Sequence, residues 1–418
     1  MKIVIIGAGP AGITAAETLR RCDRKAEIVM LSAEPFPPYA PPAMIAYFLS
    51  GREIHFWKGR DIAERLGLDY RSGIRVREVL PDRRILRLDS GETLDYDRLV
   101  VATGSSLYAP VAGMDAAGVC NFKSLSAAEA LIRRVRQERA KNALIVGAGF
   151  IGVEIALLLR DLGVEVTQVE MEDRVMPRML DRETARIVAD RMRERGVRVR
   201  LDTEARAVLG EGHAEAVELE GGETLTFDIL IAATGVRPNI EFLRGSGIHT
   251  DWGVVVDEYL RTSDPNIYAV GDVAETVDRV SGERYVHAIF PNAVAQGRLA
   301  AQNISGLEIP YEGADNMNSL KHLGLPVIAA GLMEGEELRA MRDGALRKVY
   351  LQDERIVGFR LAGDLGSAGI YRTLMNRKIN TRAFKHRLLD PGFGMGMIQG
   401  MARTPGWIQA ASGRTFGL

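Results

Sequence analysis

One pattern constrains the fold of this chain more than any other: a buried strand, a glycine-rich turn and a helix occur twice, 140 residues apart. Residues 3–6 are an apolar, β-branched run followed by GAGPAG at 7–12, and residues 144–146 are followed by GAGFIG at 147–152. In such a turn the first glycine permits the tight bend, the second lets the backbone approach a pyrophosphate, and the third lets the helix pack on the strand. Amides at the helix N-terminus then face the phosphates. Two phased copies predict two dinucleotide-binding units.

A second repeated element closes each unit. Residues 99–104 read LVVATG and residues 230–235 read LIAATG, so each is an apolar strand that ends in Thr-Gly. The Thr-Gly glycine follows the first glycine of its unit by 97 residues in the first copy and by 88 in the second. Because ligands in open α/β sheets bind at the carboxyl ends of the strands, each half is predicted to begin and end at one crevice.

The rest of the pattern predicts an α/β fold: two Rossmann-like three-layer dinucleotide-binding domains and a C-terminal α+β domain. Residues 35–42 hold five prolines in eight positions and are expected to form a rigid loop. We expect a short helix over 58–66, one strand over 94–101 and a β-meander over 197–227. Short strands followed by a helix are expected over 320–377.

Composition excludes several classes of function. Lys and Arg number 54 and Asp and Glu 55, so a net charge of −1 gives no electrostatic reason to expect nucleic acid or an anionic membrane as partner. No apolar run reaches the roughly 18 residues of a membrane span. Two cysteines, Cys22 and Cys120, suit a reducing compartment, so a cytoplasmic location is expected. Six scattered histidines without ligand spacing predict no metal site.

Two glutamates are candidates for the adenosine riboses. Glu170 follows the predicted strand 164–169 and lies 18 residues past Gly152, near the usual spacing of about 20. A carboxylate there accepts both ribose hydroxyls and repels a 2′-phosphate, which favours NADH over NADPH, although Arg174 nearby would soften that preference. A solvated strand end is the alternative for Glu170. In the first half the candidate is Glu34, which lies two or three positions further past the end of its strand than Glu170 does in the second half.

The order of these motifs resembles the two-dinucleotide flavoprotein superfamily, often called the pyridine nucleotide-disulfide oxidoreductases, over nearly the whole chain. The resemblance implies that the first glycine motif binds FAD and the second NAD(P)H, with the NAD domain inserted into the FAD domain. We therefore expect an FAD domain of residues 1–112 and 245–312. An NAD(H) domain of 113–244 and a C-terminal interface domain of 313–418 complete the expected division.

Further positions match motifs of that family. Residues 262–272 read TSDPNIYAVGD, and the resemblance implies that Asp272 hydrogen-bonds the flavin ribityl chain. Gln296 lies in an expected helix over 293–306 whose amides would point at the isoalloxazine. Glu154 resembles an acid near the nicotinamide, and Phe150 an aromatic gate over the flavin, with plain core packing as its alternative.

The resemblance thus implies two sets of cofactor residues. The FAD set is Gly7, Gly9, Pro10, Ala11, Gly12, Glu34, Ala102, Thr103, Gly104, Gly271, Asp272 and Gln296. The NAD set is Gly147, Gly149, Phe150, Ile151, Gly152, Glu154, Glu170, Thr234 and Gly235. Hydride transfer between the two cofactors needs no side-chain acid or base, so no certain catalytic residue is expected; Phe150 and Glu154 would lie near the reacting rings.

Departures from the family narrow the function. Disulfide reductases of the family carry one or two cysteines beside the flavin, whereas the loop at 39–44 reads YAPPAM and holds no thiol. His386 also lacks the signature of the C-terminal His-Glu pair. The resemblance is therefore to the branch of NADH-dependent ferredoxin, rubredoxin and nitrite reductase flavoproteins and NADH oxidases.

The expected function is that of an FAD-dependent NAD(P)H:acceptor oxidoreductase whose partner is a one-electron carrier, an iron–sulfur protein or a subunit of a multisubunit complex. Such a subunit would reduce NAD⁺ for, as one example, a metal-cofactor aldehyde oxidoreductase. A stand-alone NADH oxidase and an NADH-sensing binding module remain as alternatives.

Residues 390–418 form an unusual tail that contains seven glycines together with Met395, Met397, Met401 and Trp407. The tail is too Gly-rich for a stable helix and too apolar for a free solvated arm. We expect it, with the C-terminal domain, to support a homo- or hetero-oligomer by docking on another chain. A strap along its own domain is the equal alternative.

Overall fold

The computed structural model describes residues 1–55 and 57–401. The helices are α1 (Pro10–Cys22), α2 (Met44–Ser50), α3 (Ile62–Arg65), α4 (Leu125–Arg136), α5 (Phe150–Asp161), α6 (Arg182–Glu194), α7 (Phe290–Ile304), α8 (Ala368–Asn376) and α9 (Met395–Met401).

The strands are β1 (Lys2–Ile6), β2 (Glu27–Ser32), β3 (Asp69–Ser72), β4 (Val76–Leu80), β5 (Ile85–Leu88), β6 (Thr93–Asp95), β7 (Arg98–Val101), β8 (Ser105–Leu107), β9 (Val119–Cys120), β10 (Asn142–Val146), β11 (Glu165–Val169), β12 (Val197–Arg200), β13 (Ala205–Leu209), β14 (Ala216–Leu219), β15 (Thr224–Thr226), β16 (Ile229–Ala232), β17 (Val236–Pro238), β18 (Val254–Val255), β19 (Ile267–Ala269), β20 (Ala274–Val277), β21 (Arg284–Val286), β22 (Met317–Leu320), β23 (Val327–Gly331), β24 (Glu336–Arg342), β25 (Ala345–Gln352) and β26 (Arg355–Ala362).

The chain divides into two compact units. The first comprises Met1–Val175 and Met192–Asn316, and the second comprises Met176–Arg191 and the chain from Met317 onward. No helix in the described part of the chain is long and apolar enough to cross a membrane.

The first unit contains two parallel five-stranded sheets, in the orders β19-β7-β1-β2-β3 and β12-β11-β10-β16-β9, together with smaller sheets. In each sheet the strand before the glycine turn, β1 or β10, is central. It lies between the next strand of its unit and the strand that leads to Thr-Gly. Central strands covered on both faces are apolar throughout, which explains the runs at 3–6 and 143–146. The α/β fold expected from the sequence is confirmed.

Two strand predictions were wrong in the same way, because one run of residues serves two sheets. Residues 94–101 divide into β6, in an antiparallel sheet with β4 and β5, and β7, in the parallel sheet. The break falls where Tyr96 is buried and the Asp97 carboxylate accepts a hydrogen bond from the Lys2 amide. Similarly, the expected meander over 197–227 contains β13 to β15, but its first strand, β12, pairs in parallel with β11.

The helix expected over 58–66 is shorter than predicted. Gly59 has a φ of +86°, a left-handed conformation that a helix cannot contain, so α3 forms only over Ile62–Arg65. Directly after the proline loop the chain forms α2, which the sequence had not predicted. This helix buries Met44, Ile45 and Phe48.

The second unit is built on an antiparallel sheet of order β22-β23-β26-β25-β24, against which α8 packs. Phe393 is 1% exposed, and its ring stacks between those of Tyr371 and Phe384 at centroid distances of 5.9 and 6.0 Å. The start of the tail is therefore part of this core. The tail was also expected to hold no helix, and this was wrong, since Met395–Met401 is helical. Trp407 lies outside the described residues.

A buried cation is central to the second unit. The Lys348 side chain is 6% exposed, and its ammonium lies 2.7 Å from Asp181, 3.1 Å from Glu183 and 3.3 Å from Glu337. Burial by itself would raise the pKa of the Asp181 carboxyl. Hydrogen bonds from Lys348 and Thr184 outweigh this effect and hold the pKa of Asp181 below its usual value. Hydrogen bonds from Arg339 lower the pKa of Glu183 to about 2.

These pairs predict how stability depends on pH. Because the carboxyl pKa values are lower in the folded state, the stability that they contribute is present above about pH 4.5 and is lost as the pH falls toward 2. Lys348→Met is expected to lower the free energy of unfolding at pH 7 by about 3 kcal/mol, since it leaves the largely buried Asp181 carboxylate without its cation, whereas Glu183 keeps Arg339. The exposed pair of Lys385 and Glu336 provides the control, and Lys385→Met should cost less than about 1 kcal/mol. Thermal unfolding followed from pH 2 to 8 measures both; equal losses would contradict the assignment.

Candidate functional site

In each glycine turn, the first and third glycines lie so close to neighbouring backbone that a side chain would not fit, whereas the second glycine faces open space. A Cβ on Gly7 would stand 2.1 Å from the carbonyl oxygen of Ala102, and one on Gly12 would stand 1.9 Å from that of Gly7. A Cβ on Gly9 would meet nothing within 4 Å. The open glycine is also the residue that precedes α1, so the helix N-terminus borders this space.

The second turn repeats this arrangement. A Cβ on Gly147 would lie 2.6 Å from the Ala233 carbonyl oxygen and one on Gly152 would lie 2.3 Å from that of Gly147, whereas Gly149 faces open space before α5. Within the described structure no side chain caps α1 or α5, so their first-turn amides remain available to an anion. Both cradles fit the pyrophosphate of a dinucleotide. The first turns of α1 and α5 contain Pro10, Ala11, Phe150 and Ile151, and Ala102 lies beside the first glycine turn. The Gly104 carbonyl oxygen accepts a hydrogen bond from the Asn239 amide.

Glu170 lies immediately after β11 and is 7% exposed. Its carboxylate accepts hydrogen bonds from the amide of Ala148, at 2.6 Å, and from that of Glu172, at 3.1 Å. The side chain thus points into the second glycine turn and holds it. Its contact with the ribose stays a prediction. The alternative, a solvated side chain at the end of a strand, is excluded because Glu170 is buried and hydrogen-bonded.

We expect Glu170→Gln to reduce the preference for NADH over NADPH by roughly tenfold, the equivalent of 1.4 kcal/mol. The amide keeps the acceptor toward Ala148 but loses the charge that repels a 2′-phosphate. The measurement is the ratio of kcat/KM for the two nucleotides. Glu165→Gln, at the opposite end of β11, is the matched control. An unchanged ratio in Glu170→Gln would remove the ribose role.

Glu34 lies within a network that its position in sequence does not reveal. Its carboxylate accepts hydrogen bonds from the Tyr39 hydroxyl, at 2.6 Å, and from the hydroxyl and amide of Ser126, at 2.9 and 3.1 Å. The Tyr39 hydroxyl in turn accepts from the Leu125 amide at 3.0 Å. Glu34 therefore ties the proline loop to the start of α4, and its ribose role stays a prediction.

Asp272 is paired with a cation that the sequence did not indicate. It lies in a short 3₁₀ turn, Gly271–Val273, directly after β19, and its carboxylate lies 2.7 Å from the Lys123 ammonium and accepts from the Ser105 hydroxyl at 3.0 Å. The Lys123 and Asp272 side chains are 24% and 19% exposed, so the pair borders solvent. Lys123 is 149 positions from Asp272 in sequence, which left no local signal for the pair.

Gln296 is buried in α7, where its side-chain oxygen accepts a 2.7 Å hydrogen bond from the Gly271 amide. It therefore supports the turn that carries Asp272. Helix α7 begins at Phe290, one turn earlier than predicted, and crosses α1 so closely that a Cβ on Gly297 would lie 2.2 Å from the Ala11 carbonyl oxygen. The start of α1 is thus packed against the middle of α7.

Phe150 and Glu154 are four residues apart on α5 and so share one face of that helix. Both are half-buried, whereas Ile151 is 42% exposed. Their places near the nicotinamide and flavin stay predictions.

Thr103 and Thr234, the hydroxyl residues of the two Thr-Gly motifs, donate their hydrogens to backbone carbonyl oxygens of the opposite half.

Neither cysteine lies in the loop at 39–44, which corresponds to the region where the disulfide reductases of the family carry their cysteines. Cys22 is exposed at the end of α1, and Cys120 is on β9 beside Arg134. Burial raises the pKa of the Cys120 thiol. Among the described residues no group of three or more His, Cys, Asp or Glu side chains could hold a metal ion.

Comparisons with known proteins extend this picture. Residues 1–297 match the family model described as pyridine nucleotide-disulphide oxidoreductase. The chain is 34% identical to an NADH oxidase of Methanocaldococcus jannaschii, over 74% of this chain and 71% of that protein. It is 27% identical to the epsilon subunit of an NADH-dependent phenylglyoxylate dehydrogenase of Aromatoleum evansii, over 94% of this chain and 96% of that subunit.

Among solved structures, that of the covalent putidaredoxin reductase–putidaredoxin complex superposes with a TM-score of 0.85 at 25% identity. The match covers 96% of this chain and 99% of that one. Two longer relatives come from Bacillus subtilis: an assimilatory nitrate reductase electron transfer subunit and a nitrite reductase. The chain spans 48% and 46% of their lengths.

Proposed function

Since the chain belongs to the pyridine nucleotide-disulphide oxidoreductase family, we propose that it transfers electrons between NAD(H) and an iron–sulfur partner, as the flavin subunit of a multisubunit enzyme. The family membership confirms the predicted class, an NAD(P)H-dependent oxidoreductase that uses FAD and NAD(H). The identity of the partner and the role as a subunit are the proposal.

FAD, when bound, supplies exchange of an electron pair with NADH and release of electrons one at a time. The chain's own residues bind and orient the nucleotides. The open glycines, Gly9 and Gly149, admit the pyrophosphates to the amides of α1 and α5. Glu170 presents a carboxylate at the second turn, and Lys123 with Asp272 forms a polar edge at the end of β19.

The observation that carries the proposal is the extent of the match to the epsilon subunit, which covers both chains almost completely. That relative is by name one subunit of an NADH-dependent dehydrogenase. A dehydrogenase whose substrate chemistry lies in another chain, such as a metal-cofactor aldehyde oxidoreductase, would need this kind of flavin subunit. The thiol-free segment at 39–50 agrees with electrons that leave for another protein rather than for a disulfide.

The test is anaerobic reduction of the FAD-loaded protein by NADH, followed by mixing with either a plant-type [2Fe–2S] ferredoxin or air-saturated buffer. We expect reoxidation to be faster with the ferredoxin. Purification of the native protein should also recover iron–sulfur chains with it. Fast turnover with oxygen alone, and no co-purifying chain, would overturn the proposal.

The same experiment addresses the second candidate, a stand-alone NADH oxidase. The relative in Methanocaldococcus jannaschii favours this candidate by its name and by its 34% identity. Both functions share the two glycine cradles, so the rate of reoxidation by oxygen is the property that separates them.

Contact of the tail with a partner chain is also a proposal, and the structure changes how it should be tested. Because Phe393 is in the core of the second unit, deletion of residues 390–418 would damage the fold itself. Deletion of residues 402–418 keeps Phe393 and α9. If this shorter deletion leaves the native assembly unchanged by size-exclusion chromatography, residues 402–418 do not hold the partner.

A further inference from the structure

A short antiparallel ribbon connects the two nucleotide-binding halves. Strand β8 follows Thr103-Gly104 and leads toward the second half, and β17 follows Thr234-Gly235 and leads back to the first. The two strands pair over three positions, with Val236 opposite Leu107 and Pro238 opposite Ser105. The entire ribbon belongs to the first compact unit.

The two threonine hydroxyls cross this ribbon in matching ways. Thr103 donates its hydroxyl hydrogen to the carbonyl oxygen of Asn239 at 2.9 Å, and Thr234 donates to that of Tyr108 at 2.5 Å. Tyr108 lies five residues after Thr103, and Asn239 lies five residues after Thr234. Each hydroxyl therefore reaches the equivalent position of the opposite strand.

Backbone hydrogen bonds close both ends of the ribbon with the same symmetry. The Asn239 amide donates to the Gly104 carbonyl oxygen at 3.0 Å, and the Tyr108 amide donates to that of Gly235 at 3.0 Å. At one end the Asn239 side-chain amide adds a bond to the Thr103 carbonyl oxygen at 2.9 Å. Each end of the ribbon is thus held by a backbone bond and a threonine hydroxyl.

We propose that Thr103 and Thr234 form a symmetric clamp that fixes the orientation of the NAD(H)-binding half relative to the FAD-binding half. The inference rests on the proposed transfer of electrons between NAD(H) and FAD. Each hydroxyl has one hydrogen to donate and donates it across the ribbon, so it has none left to donate to a cofactor. Both are positioning residues that act through the strands that they join.

Such a clamp acts on rate rather than on affinity. Hydride transfer from NADH to FAD oxidises NADH to NAD⁺, reduces the flavin by two electrons and requires the reacting atoms to be about 3–3.5 Å apart. Each cradle lies within its own half, whereas the distance between the two rings depends on the angle between the halves. A ribbon of three residue pairs with loosened ends would let that angle vary.

The test uses Thr103→Val and Thr234→Val, which keep the side-chain shape and remove the donor. Both variants should lower the rate constant for anaerobic flavin reduction at saturating NADH by about three- to tenfold, the equivalent of one hydrogen bond. The FAD content and the Kd for NADH should stay within about twofold of the parent values. Thr→Ser at either position keeps the donor and should restore the rate.

Hydrogen exchange provides a readout that needs no turnover. The amides of residues 105–109 and 236–240 should exchange faster in both valine variants, because the ends of the ribbon open more often. Ser106→Ala removes an exposed hydroxyl from the same strand and is the matched control. It should change neither the exchange nor the rate. If valine prevents folding, Thr→Ala at the same positions replaces it.

Two results would overturn the clamp. If Thr103→Val lowers only the FAD content and Thr234→Val raises only the Kd for NADH, each hydroxyl is a cofactor ligand. If neither rate nor exchange changes, the hydroxyls do not hold the ribbon. Failure of the parent protein to be reduced by NADH would instead count against the proposed function, and the exchange measurement would still test the clamp.

Discussion

Gly9→Ala is expected to give a folded protein that retains little FAD, and Gly149→Ala a yellow protein that binds NADH poorly. A Cβ at either position meets nothing within 4 Å, and φ values of −71° and −68° suit alanine. The cost to the fold should therefore stay near 1 kcal/mol, the usual cost of alanine before a helix. The added methyl group fills the space that a pyrophosphate needs.

The measurements are the flavin-to-protein absorbance ratio for Gly9→Ala and the Kd for NADH for Gly149→Ala. We expect FAD affinity and NADH affinity, respectively, to weaken by roughly tenfold or more, at least 1.4 kcal/mol of binding free energy. Gly369→Ala, at an exposed and equally open position on α8, is the control and should affect neither. Wild-type FAD content in Gly9→Ala would show that this glycine does not border the cofactor.

Gly12→Ala is expected to destabilise the apoprotein itself, and by more than Gly9→Ala. Its Cβ would stand 1.9 Å from the carbonyl oxygen of Gly7 and 3.3 Å from the side chain of Ile5. Backbone on both sides must move to relieve that contact, and overpacking of this kind costs about 3 kcal/mol or more. Helix α1 would be pushed away from β1.

The melting temperature of the FAD-free protein separates the two glycine roles. A loss of about 3 kcal/mol should lower it by roughly 10 °C for Gly12→Ala, whereas Gly9→Ala should stay close to the parent. Gly152→Ala should repeat this effect in the second half, where the corresponding approach is 2.3 Å. Equal melting temperatures for Gly9→Ala and Gly12→Ala would contradict the distinction.

The parts of the molecule that the sequence predicted well are those fixed by local geometry. A glycine turn is specified by six consecutive residues, so both cradles and the helices after them were predicted at the right positions. The strands around them were predictable because burial on both faces demands apolar runs. The place of Glu170 beside the second glycine turn followed from the length of one helix and one strand, whereas its ribose contact stays a prediction.

The parts that were missed depend on contacts between distant residues. Lys123 reaches Asp272 across 149 positions, and the threonine hydroxyls cross a ribbon whose strands are more than 120 residues apart. Residues 94–101 contain no glycine or proline that would mark a break, but the chain bends at Tyr96-Asp97 and its two parts join different sheets. Met395–Met401 is helical despite its glycines, which a propensity argument does not allow for.

The most direct test of the central claim is an anaerobic titration with NADH of the FAD-loaded protein in which both cysteines are replaced, Cys22→Ser and Cys120→Ser. The flavin absorbance should bleach completely after one NADH per FAD, as in the parent protein, because no thiol takes part. A variant that is not reduced, or a parent that consumes a second equivalent before the flavin is fully reduced, would contradict it.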